Sequence, residues 1–167
     1  MKTFAEIEEL YSFSRVTYYS VRIEGADLNE MEKFIERRKE VSEYKEEFED
    51  LMAWIKYIGE KEGANLKLFR DESSAQALPP EYSEMRKRGM LKEIGYNLRL
   101  YCLRIDANIV ILLNGGVKTS QKVQDSPDLL SKFRLANKIS ESVTKKFVVK
   151  ELWVEGQELK GDFELEI

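Results

Sequence analysis

The sequence predicts an α+β protein with a single, mainly antiparallel sheet and helices packed on one face. Segments rich in β-branched and aromatic residues alternate with segments whose apolar residues recur every three or four positions. Two apolar runs, 97–105 and 109–114, are separated by three residues, which predicts an antiparallel hairpin. No linker rich in Gly, Ser or Pro divides the 167 residues, so we expect one domain over 1–167.

The N-terminal third reads as a strand followed by two helices. "VTYYSVRI" (16–23) has the composition of a strand. Helices are predicted over about 28–39 and 41–60, and both carry an apolar stripe opposite an acidic face. Asp27 and Glu30 have the spacing of a capping box at the first helix.

The middle of the chain reads as a short strand over 64–72 and a loop, "SSAQALPPEYSE" (73–84). A loop is expected because Pro79 and Pro80 cannot donate backbone hydrogen bonds to a helix or sheet.

A final helix is predicted to begin at Pro127, with Ser126 as its cap. The β-branched run at 146–154 predicts another strand. The alternating end, "GDFELEI" (161–167), is either an edge strand or a tail.

The net charge of −4 conceals a basic middle between two acidic ends. Residues 1–65 carry a net charge of −6, residues 66–148 carry +6, and residues 149–167 carry −4. The basic middle indicates either a surface for a polyanion or an ordinary solvated surface.

Several classes of site are excluded by composition. The single cysteine, Cys102, allows no internal disulfide and no zinc–thiolate cluster. With no histidine, the usual general base at neutral pH is missing. "NGGVKTS" (114–120) lacks the spacing of a phosphate-binding loop. We therefore expect no metal and no organic cofactor. No signal peptide or apolar span is recognised, so we expect a cytoplasmic protein without membrane contact.

The remaining chemistry is carried by arginine, lysine and tyrosine. Strand alternation puts Arg99 and Tyr101 on one face, and Arg104 on the other. Lys118 and Lys122 follow the next strand and could converge with Arg99 on a phosphate group. The same pattern would also arise from a half-buried sheet whose long cations reach the solvent. A denser basic cluster could extend the positive track: Arg86, Lys87 and Arg88.

The stretch "LRLYCLRIDANIVILLNGGVKTSQKVQDSPDLLSKFRLANKI" (98–139) resembles the C-terminal half of RelE/ParE-superfamily toxins, especially their phage-derived, HigB-like branch. Arg99 matches the arginine of their first strand, and "VILLNGGVKT" matches their second strand. Lys118 corresponds to a lysine of their basic stretch. Pro127 and Ala136 match a proline and a buried alanine in the helical region that follows.

The resemblance implies a RelE-like core over about 64–154, preceded by an acidic strand–helix–helix segment (16–63), which supplies an N-terminal helical pair. An acidic strand or tail (155–167) follows the core. It also implies ribosome-dependent mRNA cleavage and neutralisation by a cognate helix-turn-helix antitoxin. In this interpretation Arg99 binds the transition-state phosphate.

The other roles follow from the same hypothesis. Tyr101 stacks on a base or donates a proton, and Lys118 assists at the phosphate. The remaining cations contact RNA: Arg86, Lys87, Arg88, Arg104 and Lys122.

Two other functions stay open. A non-catalytic protein-binding module could keep the same fold and use the acidic ends for docking. A ParE-like inhibitor of gyrase is the second alternative, because the fold alone does not determine the target. RNA binding that weakens steeply with salt would separate RNA-directed functions from protein docking.

Overall fold

The computed structural model of the protein describes residues 2–39, 41–87, 97–119 and 122–167. These residues form an α+β fold. The strands are β1 (Phe4–Ser12), β2 (Thr17–Ile23), β3 (Arg70–Glu72), β4 (Ala75–Leu78), β5 (Leu98–Asp106), β6 (Ile109–Val117), β7 (Leu152–Glu155), β8 (Glu158–Gly161) and β9 (Glu164–Glu166). The α-helices are α1 (Glu30–Lys39), α2 (Lys45–Tyr57), α3 (Tyr82–Lys87) and α4 (Pro127–Val148).

Seven strands form one mainly antiparallel sheet in the order β3-β4-β5-β6-β2-β1-β9. The predicted hairpin is confirmed as β5 and β6, which turn through Ala107 and Asn108. One pair, β2 with β6, runs parallel, from Thr17 opposite Ile109 to Tyr19 opposite Ile111. The mainly antiparallel sheet of the predicted α+β class is therefore present.

Helices cover both faces of the sheet, so the prediction of helices on one face is wrong. On the α4 face, Tyr101 and Ile111 pack in one core with Ile139 of α4. On the α1–α2 face, Leu100 of β5 packs in a second core with Trp54 of α2. The apolar stripes predicted for these helices are confirmed, since they lie in the two cores. The spacing of apolar residues does not indicate which face of a sheet a helix covers.

Two further parts of the fold prediction differ from the structure. The described residues form a second sheet, a hairpin of β7 and β8, so the strands do not all belong to a single sheet. The helical pair α1 and α2 follows two strands, because β1 precedes β2. The alternation of β1 was missed since Glu6 and Glu8, its solvent-side residues, are good helix formers.

Where the pairing of β2 with β6 ends, side chains form hydrogen bonds to the backbone of β6 in place of a neighbouring strand. Beyond Ile111, the described part of the chain places no strand beside the outer edge of β6. The Nη2 atom of Arg37 donates to the Gly115 carbonyl, and the Val117 N–H donates to Asp128 Oδ2 at 2.7 Å. Polar backbone groups near the end of β6 are thereby satisfied by α1 and α4.

Two strand predictions need correction. Residues 75–78, expected in a loop, form β4, because the two prolines come only after its last residue. The strand predicted over 146–154 begins at Leu152, since α4 continues through Val148. The end of the chain takes the edge-strand alternative, as β9 pairs with β1.

The N-cap predicted for α1 is replaced by other residues, whereas Ser126 is the N-cap residue of α4, as predicted, but makes no side-chain capping hydrogen bond. The capping box of α1 is made by Asn29 and Glu32, not by Asp27 and Glu30: the Glu32 N–H donates to Asn29 Oδ1 at 2.8 Å, and the Asn29 N–H donates to Glu32 Oε1 at 2.9 Å. Ser126 precedes α4 but accepts a hydrogen bond from the Thr119 N–H at 3.1 Å. Within the described ranges, no helix combines the length and apolar character required to cross a bilayer.

Candidate functional site

Three cations, one carboxylate and one phenol come together at one end of the α4 face. We call this group the site cluster: Arg70, Glu72, Arg99, Tyr101 and Lys118. The charges of the three cations act on the pKa of the Glu72 carboxyl. They come from three separate stretches of the chain, so the fold brings them together.

Strand alternation in β5 places two members of the cluster. Tyr101 and Leu103 belong to the core under α4, whereas Leu100 and Cys102 belong to the core under α1 and α2. Arg99 is two residues before Tyr101 and therefore shares its face. The predicted common face of Arg99 and Tyr101 is present.

Strand register brings in the residues of β3. Arg70 pairs with Ala77 of β4, and Ala77 pairs with Tyr101 of β5. Residues directly opposite one another point to the same face of a sheet, so Arg70 lies in one row with Tyr101. Glu72 is two residues after Arg70 and is on that face too.

The two glycines at the end of β6 let its neighbours approach closely. A Cβ atom on Gly115 would lie 1.9 Å from the carbonyl oxygen of Arg99, and one on Gly116 would lie 2.3 Å from Asp128 Oδ2. A bulge in the β5–β6 ladder accompanies this contact. Lys118 is the first residue after β6, and its N–H donates to the Asn97 carbonyl at 2.7 Å.

Glu72 is a half-buried carboxylate among cations. Burial raises the pKa of its carboxyl group above the usual range. The charges of three cations oppose that rise, namely Lys118, Arg99 and Arg70. A carboxylate with a raised pKa accepts a proton more readily than a solvated one, which suits a general base.

Arg99 is a buried member of the cluster, with an exposure of 7%. Burial lowers the pKa of its guanidinium, the neighbouring charge of Arg70 lowers it further, and Glu72 opposes the change. Its Nη1 atom donates to the Leu98 carbonyl at 2.9 Å. A guanidinium stays charged at neutral pH even so, and its field is stronger in a poorly solvated site than in water.

Tyr101 is fully buried, with an exposure of 0%. Its ring meets Phe133 of α4 edge-to-face, with centroids 5.9 Å apart. Burial, with a contribution from Glu72, raises the pKa of the phenol well above its usual value. A nucleotide base cannot stack on a ring that is covered in this way. Tyr101 therefore contributes packing against α4 and not a surface for a base.

Arg70 is held by the two prolines that follow β4. Its Nε atom donates to the Pro79 carbonyl at 2.7 Å, and Nη2 donates to the Pro80 carbonyl at 3.1 Å. Its Nη1 atom lies 3.5 Å from Glu81, a mostly exposed carboxylate. These contacts fix the guanidinium at the rim of the cluster.

The other predicted RNA contacts are placed elsewhere or fall outside the description. Arg104 points away from the α4 face, and its Nε atom donates to the Ala64 carbonyl. Lys87 lies 3.3 Å from Glu84 within α3. Lys122 is exposed, before a short 3₁₀ turn. The side chain of Arg86 and the whole of Arg88 lie outside the described residues.

Sequence reasoning missed Arg70 and Glu72. The chain has 31 acidic residues, so no single carboxylate stands out. The usable signal was the spacing of "RDE" (70–72), which puts an arginine and a glutamate on one strand face. This spacing became informative only once the pairing of β3 with β4, and of β4 with β5, was known.

Among the described residues, no group of three or more Asp, Glu, Cys or His side chains is placed to hold a metal ion. Comparisons of the chain with protein-family models, curated proteins and solved structures found no match. The function is therefore inferred from the residues of this chain.

Proposed function

We propose that the protein is a toxin-like endoribonuclease that cleaves mRNA on the ribosome without a metal ion, and that a cognate helix-turn-helix antitoxin restrains it. The observation that carries the proposal is that strand register puts Arg70 and Glu72 on the sheet face of Arg99 and Tyr101, where the charges of Lys118, Arg99 and Arg70 act on the Glu72 carboxyl. A base beside several cations is what transesterification at an RNA phosphate requires in a chain without histidine.

The reaction uses the 2′-hydroxyl of the RNA as the nucleophile. Glu72 accepts the hydroxyl proton while the 2′-oxygen forms a bond to the adjacent phosphorus. The bond from phosphorus to the 5′-oxygen breaks, and that oxygen takes a proton from Lys118. The products carry a 2′,3′-cyclic phosphate and a 5′-hydroxyl, and the two residues then exchange a proton with water.

The buried guanidinium supplies charge stabilisation. Negative charge develops on the non-bridging oxygens as the 2′-oxygen attacks, and Arg99 is fixed in place before the reaction starts. Arg70 and Lys118 hold the neighbouring phosphate oxygens. Because Glu72 must be ionised to act, we expect the cleavage rate to rise with pH through its raised pKa.

The test is mRNA cleavage on purified ribosomes, mapped by primer extension. We expect Glu72→Gln to lower the rate by about 10²–10⁴-fold, and Arg99→Ala by about 10²–10³-fold. Arg15→Ala is the matched control, because Arg15 is exposed in the turn between β1 and β2, beside the β5–β6 turn at the far end of β5. Wild-type cleavage by Glu72→Gln would contradict the proposal.

A non-catalytic binding module is the second candidate, and the burial of Arg99 at 7% exposure favours it. Such a module would bind its target equally well with Glu72 or Gln at position 72. If the protein is retained on its target with little dependence on salt while no mRNA is cut, protein docking is supported and the nuclease is excluded.

A further inference from the structure

Helix α4 binds the turn between β3 and β4. The N–H groups of Ser74 and Ala75 donate to Asn137 Oδ1 at 2.6 and 3.0 Å. The hydroxyl of Ser140, which is 1% exposed, donates to the Ser74 carbonyl. Two helix side chains therefore satisfy three consecutive polar groups of the turn.

The same helix face contacts the site cluster directly. Phe133, Asn137 and Ser140 are spaced i, i+4 and i+7, which aligns them along one side of α4. The Phe133 ring packs against Tyr101, and Asn137 Nδ2 donates to the Phe133 carbonyl at 2.8 Å. That hydrogen bond fixes the amide so that its oxygen faces the turn. One helix face thus joins the turn to β5.

A longer contact also links the turn to α4, as the Ser74 hydroxyl donates to Glu141 Oε1 at 3.5 Å. Strand β3 has three residues, lies at an edge of the sheet and pairs with β4. Ser73 adopts a left-handed conformation (φ 65°), which costs energy for a residue with a side chain. Glu72 is the residue immediately before it. Any movement of the turn therefore moves Glu72 relative to Arg99.

We propose that Asn137 and Ser140 are positioning residues that hold Glu72 against the cations of the site cluster. The proposal rests on the function proposed for that cluster. Neither residue touches the reacting atoms. They act through the backbone of residues 74 and 75, which fixes the strand that carries the carboxylate.

The test combines two measurements on the full chain. The first is the pKa of the Glu72 carboxyl, followed by carbon-detected NMR of the side chain. The charged and titratable groups that face it are Arg70 and Asp71 of β3, Arg99 and Tyr101 of β5, and Lys118. The second measurement is mRNA cleavage on ribosomes over a range of pH.

Asn137→Ala removes the acceptor, and we expect Glu72 to become more solvated. Its pKa should fall towards that of a free glutamate, and the lower limb of the cleavage pH profile should move with it. Cleavage at neutral pH should fall by about tenfold or more, because the base is displaced. Asn137→Asp keeps an oxygen acceptor and should retain a raised pKa. Lys138→Ala, at the exposed neighbouring position, is the control.

The outcomes separate this proposal from the proposed function. An unchanged Glu72 pKa in Asn137→Ala overturns the positioning role, whatever happens to cleavage. A lowered pKa in a protein whose wild type cuts no mRNA supports the positioning role and rejects the nuclease. Should Asn137→Ala fail to fold, Ser140→Ala removes a single hydrogen bond and is measured in the same way, with the same two decisive results.

Discussion

Alternate residues of β5 face two different environments. Leu100 and Cys102, on the α1–α2 face, are surrounded by the apolar side chains of two helices. Arg99 and Tyr101, on the α4 face, lie near Glu72, and Arg99 also lies near Arg70. Both environments are closely packed. Burying the charged Arg99 costs desolvation free energy, which burying Leu100 and Cys102 does not. The charges gathered beside Arg99 and Tyr101 are the reason we propose the α4 face as the functional one.

The comparison is tested most strongly by a core substitution. We expect Leu100→Ala to lower the free energy of unfolding by about 2–5 kcal/mol, because Leu100 is 0% exposed and its removal leaves a cavity. Leu66→Ala, at a position that is 64% exposed, is the matched control and should change it by less than about 0.5 kcal/mol. Denaturant unfolding measures both, and equal losses would show that Leu100 contributes no more to the core than an exposed leucine does.

Two buried tyrosines provide a smaller and sharper test. On the α1–α2 face, the Tyr18 hydroxyl donates to the Ile55 carbonyl at 2.8 Å. On the α4 face, the Tyr101 hydroxyl has no hydrogen-bond partner within the described part of the chain. We expect Tyr18→Phe to cost about 0.5–1.5 kcal/mol in denaturant unfolding, and Tyr101→Phe about 0. A larger loss for Tyr101→Phe than for Tyr18→Phe would contradict this assignment.

The smallest expected effect concerns the pH dependence of stability. The folded-state pKa of Glu72 is raised, so its stabilising contribution is present below the unfolded-state pKa and is lost as pH rises through the folded-state pKa. Glu72→Gln mimics the protonated form. It should therefore unfold at the same or a slightly higher temperature than wild type at pH 7, by less than about 4 °C.

At pH 3 the two proteins should unfold at the same temperature, since both side chains are then neutral. Glu6→Gln, at an exposed position of β1, is the control for the loss of one charge. A variant at position 72 that is less stable than wild type at pH 7 would show that Glu72 is a structural ion-pair partner.

Local patterns were sufficient to predict much of the fold. The β5–β6 hairpin follows from two apolar runs and a short turn, and the start of α4 follows from Pro127. Other elements could not be predicted because their residues favour a different secondary structure. Phe147 and Val148 have high strand propensity, yet they remain in α4 because a half-buried Phe147 packs against the α4-side core. Tertiary packing overrode the local preference there.

The site could be predicted only in part. Arg99 and Tyr101 share a face because of strand alternation alone, which is a local property. Glu72 joins them through two steps of strand pairing, from β3 to β4 and from β4 to β5. Register depends on contacts between distant residues, so one sequence read alone could not supply it. Arg104 was correctly placed on the opposite face by the same alternation.

The pairing of β9 with β1 has a consequence for how the protein is made. Leu165 is 0% exposed and lies opposite Ala5, so residues about 160 positions apart share one ladder. During translation, β1 leaves the exit tunnel long before its outer neighbour exists, and its edge stays open to other chains for that interval. Assembly of this sheet must therefore finish late, after synthesis has passed residue 166.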